Sequence, residues 1–72
     1  MTKAQTELAV TLSKLAADQM ILDADKVNKG EITVEQAAEN IGKIQDYINE
    51  NFGGIGGFVV RIAQRANEHR LI

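Results

Sequence analysis

The chain has no cysteine, no proline and no tryptophan. Without cysteine there is no disulfide and no thiolate metal site, and a single histidine does not build a zinc site. Two Phe and one Tyr leave no large aromatic anchor for a core. Absence of proline, together with weak alternation of apolar and polar residues, leaves little sign of strands. No apolar run approaches the roughly 20 residues needed to cross a bilayer. The stretch Met1–Gln5 holds no hydrophobic signal core, so a cytoplasmic protein without membrane contact is expected, in the host cytoplasm if a phage encodes it.

Catalytic patterns are missing as well. There is no Ser-His-Asp constellation, no thiol nucleophile and no carboxylate–histidine metal spacing. His69 sits near the C-terminus, a poor place for a preorganised base. The expectation is a protein that is not an enzyme and carries no cofactor.

At 72 residues the chain makes one domain, 1–72. A domain of this size buries only about 60% of the surface its unfolded chain exposes. Small scaffolds of that kind need a staple, and with disulfides and metals excluded, self-association is the one left. A homo-oligomer is therefore expected.

What is present reads as three helices. The first is expected from about Thr2 to Lys29, with Thr2 and Gln5 at capping-box spacing and Gly30 just past the end. The second opens on the T-x-x-Q box of Thr33 and Gln36, with Ile32 and Ala37 at the staple positions, and runs to about Asn51. Its apolar stripe is Val34, Ala37, Ala38, Ile41, Ile44 and Ile48. The third follows the glycine segment 53–57 and runs to about His69, with Phe58, Val59, Ile62 and Ala66 as its stripe. The expected fold class is all-α: a long antiparallel helical hairpin plus a C-terminal helix after a Gly-rich turn.

Helix one is apolar on two sides. Leu8, Leu12, Leu15 and Leu22 form one stripe, interrupted by Gln19; Val10, Ala17, Ile21 and Ala24 form a second. A helix of this type contacts two neighbours. One is helix two; the other is helix three or a second copy of the chain. The expected oligomer contact is Val10, Ala17, Ile21 and Ala24, with Gln19 either pairing across it to set register or turned to solvent.

The charge is uneven. Residues 1–52 hold five Lys against nine acids, whereas residues 53–72 hold three Arg against one Glu. Arg61, Arg65 and His69 recur every four residues along one edge of helix three, with Gln64 beside them and Arg70 following. Like charges at that spacing repel by a few tenths of a kcal/mol, so acids on this chain, an acidic partner or a phosphate should offset them. Gly56 and Gly57 open the same helix, and a glycine turn at a helix N-terminus holds free N–H groups suited to an anion or simply packs two helices closely. The segment lacks the Lys-Ser/Thr of a P-loop and the preceding strand of a dinucleotide fingerprint. Tyr47, with Lys43 one turn earlier, suits an interface or the stacking of a base above a phosphate contact.

The segment Gly57-Phe58-Val59-Val60-Arg61-Ile62-Ala63-Gln64 resembles the C-terminal helix of the small phage hairpin proteins that sequester cyclic nucleotide signals. The arginine here comes one residue earlier, and the resemblance covers eight residues. It implies nucleotide binding at the glycine turn and Arg61.

The leading functional expectation is a small interaction or inhibitor module of phage or mobile-element type, binding an acidic partner surface through the basic edge of helix three. The alternative is a nucleotide sponge using Gly56, Gly57, Arg61 and Tyr47. A DNA-binding regulator ranks third, because the body is acidic and helix two offers little charge to grip phosphate.

Overall fold

A computed structural model describes residues 2–70, and of Arg70 only the backbone. It contains three helices packed together: α1 (Lys3–Asn28), α2 (Val34–Phe52) and α3 (Gly56–Arg70). Each boundary has a local chemical cause. The Thr2 hydroxyl accepts from the Gln5 N–H and the Gln5 side chain accepts from the Thr2 N–H, closing the first capping box. Thr33 and Gln36 repeat the arrangement at the start of α2. Together these satisfy donors that the first turn of a helix leaves without partners.

The helix ends are equally specific. Glu31 N–H donates to the Lys26 carbonyl and Gly30 N–H to that of Val27, while Gly30 takes φ +76°. This is a Schellman stop, and it needs a residue at ease in the left-handed region. At the end of α2, Gly53 and Gly54 adopt φ +82° and +81°, and both donate to the Asn49 carbonyl. Two consecutive left-handed residues reverse the chain within a few positions and start α3 at once.

The core differs from the expected stripes. On α1 the fully covered face is Ala9, Ser13, Ala16, Ala17 and Asp23, which lies between the two apolar stripes. Leu15 and Leu22 stay exposed. On α3 the buried residues include Val59, Val60 and Ala63, whereas Phe58 and Ala66 are exposed. On α2, Ile48 is buried and Ile41 and Ile44 are half-buried, but Val34 is exposed. The physical reason is close approach. α3 lies against both other helices, and alanines on α1 and α3 allow it to sit nearer than leucines would. The most bulky side chain that is fully enclosed is Val59, at 0% exposure.

Polar groups in this seam are tied down in part. Ser13 Oγ donates to the Ala9 carbonyl at 2.6 Å, the local route open to a helical serine. Asn67 Nδ2 donates across from α3 to the Ala17 carbonyl at 3.1 Å, which sets α3 along α1 at that level. Gln19 Nε2 donates to Asp23 Oδ1 at 3.1 Å. The buried Asp23 Oδ2 and Asn67 Oδ1 have no hydrogen-bond partner among the described residues.

Among the described residues no helix is long and apolar enough to cross a membrane.

Candidate functional site

The glycine turn is a packing device at its centre. Gly56 is buried against α2, and a Cβ built there would overlap the Gln45 carbonyl oxygen and stand 2.6 Å from Asn49 Oδ1. Its N–H is already engaged, donating to Asn49 Oδ1 at 2.7 Å. Asn49 thus caps two helices. Its carbonyl receives the end of α2, and its carboxamide receives the beginning of α3. The amide expected to face an anion is occupied by a side chain of the same protein. Gly57 is exposed, and a Cβ there would only touch Gln45 Nε2 at 3.7 Å.

Tyr47 and Lys43 are not brought to that turn. Tyr47 is two residues from both Gln45 and Asn49, which places it on the opposite side of α2 from Gly56. It lines a groove between α1 and α2 with Leu12, Leu15, Gln19 and Ile44. Its ring meets Phe52 edge-on at a centroid distance of 6.4 Å. Lys43 stands exposed, 3.9 Å from Glu39 one turn earlier. The glycine turn and Tyr47 therefore do not form one pocket.

Arg61, Gln64, Arg65 and His69 are all exposed on α3. The Arg70 side chain lies outside the described residues. Neither Arg61 nor Arg65 forms an ion pair among the described residues, where the ion pairs are Lys29–Asp25 and Lys43–Glu39. The first turn of α3 carries no acid. Phe58, 50% exposed, shares the face: it precedes Arg61 by three residues and Arg65 by seven. The result is an outward strip of one aromatic and two guanidinium groups that have no ion pair among the described residues, ending at His69. Sequence periodicity assigned Phe58 to the core and so missed it. Its neighbours Val59 and Val60 were equally apolar, and only the position of α1 and α2 decides which of the three turns inward.

The residues expected at an oligomer contact divide. Val10, Ile21 and Ala24 are exposed; Ala17 is buried inside the chain, between α1 and α3. Gln19 is exposed and linked to Asp23. Val10, Ser13, Lys14 and Ala17 line a shallow groove with Ile62 and Ala66 on α3. Among the described residues no group of three His, Cys, Asp or Glu is placed to hold a metal ion.

No protein-family model matches the chain, nor does any curated protein or solved structure.

Proposed function

We propose that the chain is a non-catalytic binding module that engages an acidic protein surface through the outer strip of α3: Phe58, Arg61, Gln64, Arg65 and His69. The observation that carries this reading is the pair Arg61 and Arg65, adjacent on one helix face, exposed, and without an ion pair to an acid among the described residues. Two like charges one turn apart repel, and an acidic partner relieves that repulsion while pairing bidentately with the guanidinium forks. Arg and aromatic residues are also the types that most often dominate binding energy at interfaces. The reading fits a small inhibitor or adaptor of phage or mobile-element type that occupies a site on a larger protein.

In the same reading, α1 and α2 form an antiparallel hairpin carrying α3, and the module works as a homo-oligomer in the cytoplasm. Residues 12–19 face 44–48, roughly equidistant from the turn at 29–33, in support of the hairpin.

The test is charge reversal. Wild-type protein is expected to bind an immobilised Glu/Asp-rich peptide in a salt-sensitive manner. Arg61→Glu with Arg65→Glu is expected to weaken that binding at least about 10-fold while helical content is unchanged. Unchanged binding would remove the site assignment. A thermal-shift panel of cyclic nucleotides serves as the counter-test: a rise of several degrees would transfer the function to nucleotide sequestration, since ligand at about 100 times its Kd adds roughly 2.7 kcal/mol.

A further inference from the structure

Two exposed helix faces of this chain carry opposite charge at matching intervals. On the outer face of α3, Phe58, Arg61 and Arg65 follow one another at steps of three and four, all exposed. On the side of α2 turned away from the buried Ile48, Glu35, Glu39 and Gly42 follow at steps of four and three, also all exposed. Laid antiparallel, the two series coincide: Gly42 meets Phe58, Glu39 meets Arg61 and Glu35 meets Arg65. Both series span about 10.5 Å of helix, so the match holds along the axis as well as around it. In the same register Glu68 comes level with the Thr33 N-cap of α2, where the helix dipole favours an acid.

Gly42 is the second observation. Inside the chain nothing calls for it: its φ is not positive, and a Cβ there would meet nothing within 4 Å. Glycine in the middle of a helix costs about 1 kcal/mol relative to alanine. What it provides is a flat seat on the α2 backbone beside Glu39, where an aromatic ring can approach closely. The charges on both faces are also available. Arg61, Arg65 and Glu35 form no ion pair among the described residues, and Glu39 meets Lys43 only at 3.9 Å, with both side chains largely exposed.

We infer that the acidic surface met by the α3 strip in the free protein is the outer face of α2 on a second copy of this chain. Charge selects this pairing over the symmetric ones. Strip on strip would set arginine against arginine, and α2 on α2 would set Glu35 and Glu39 against themselves. The contact is therefore heterologous, each copy offering one basic and one acidic face. One helix face laid on another is a small interface, of the weak class below about 1,200 Å². The inference rests on the proposed reading of the α3 strip and names its partner.

Sedimentation velocity at about 300 µM in about 20 mM salt tests it, with circular dichroism as the check on folding. The wild type is expected to show a weight-average mass above 7.9 kDa that falls toward this value in about 0.5 M salt. Arg61→Glu with Arg65→Glu, and separately Glu35→Arg with Glu39→Arg, are each expected to weaken association at least about 10-fold. The chain carrying all four changes restores opposite charges and is expected to associate within about 3-fold of wild type. Asp46→Arg with Glu50→Arg makes the same change of net charge further along α2 and is expected to have an effect below about 3-fold. Should a double reversal lose helix, Phe58→Ala is expected to weaken association about 5-fold in a folded chain. A monomeric wild type overturns the inference, as does association that survives either reversal. A fourfold variant that stays monomeric overturns the pairing of the two faces. An equal loss with Asp46 and Glu50 reversed overturns the register. Binding of the acidic peptide through Arg61 and Arg65 is read separately, so the wider reading of the strip can stand where the second copy fails.

Discussion

Gly56→Ala is expected to cost about 3 kcal/mol, whereas Gly42→Ala in the same protein is expected to stabilise it by about 1 kcal/mol. Both substitutions place alanine in a helix, where propensity favours it over glycine by about 1 kcal/mol. Gly42 has open space around its missing Cβ and an ordinary helical backbone, so only the propensity gain is felt. At Gly56 the added methyl overlaps the Gln45 carbonyl oxygen, a backbone atom within α2 that has nowhere to move. The overlap outweighs the propensity gain, and relief requires that α3 lift off α2, breaking the Gly56–Asn49 hydrogen bond as well. A domain of this length has a total stability of roughly 4–10 kcal/mol, so the loss is a large share of it. The melting temperature is expected to fall by about 12–24 °C. Removing the Asn49 side chain in the Gly56→Ala background should bring no recovery, because the Gln45 carbonyl remains. Thermal melts of the variants at one fixed protein concentration decide the matter. A Gly56→Ala protein as stable as wild type would mean that the two helices are not in contact at this point.

Ala63→Leu is the second large effect. Ala63 has 0% exposure in the seam with Ala9, Ala16 and Val59, where small side chains permit the approach of α3 to α1. Overpacking of such a contact costs about 3 kcal/mol when the helices must separate to admit the longer side chain. Separation would also break the Asn67 tie to the Ala17 carbonyl and leave a buried acceptor short of a partner. The control is Ala66→Leu, three residues on. Ala66 is exposed and lines the shallow groove with Val10 and Ile62, so its new methyl groups fall on apolar surface. That variant is expected within about 1 kcal/mol of wild type. Urea titrations give both numbers. Equal loss in the two variants would show that helix propensity or unfolded-state effects, not the alanine seam, set the cost.

These expectations show where sequence reasoning succeeded. Both capping boxes were legible, because Thr2/Gln5 and Thr33/Gln36 act through neighbours three residues apart and need nothing else. Gly30 was legible for the same reason, and so was the break at the glycine segment. The exposed arginines of α3 were legible as an edge because their four-residue spacing is a property of any helix. What could not be read was which apolar residues the other helices would cover. On α1 leucines flank a line of alanine and serine, and hydropathy alone points the leucines inward. The choice belongs to α3, whose distance from α1 is limited by the bulk between them. Small residues permit the shorter distance, and the leucines are then left outside.

The same division holds at the candidate site. Arg61 and Arg65 were visible in the sequence; that neither forms an ion pair among the described residues was not, since acids on α1 and α2 stood within reach of a helix whose placement was unknown. Nor did anything local mark Asn49 as the residue that would take the Gly56 N–H from seven positions upstream. Helix limits, caps and charge periodicity were determined by the sequence itself, because each depends on contacts within about two turns. Which face is buried, which amide is engaged and which leucines remain exposed were decided only by tertiary packing, because each depends on a distance between helices that no single helix contains.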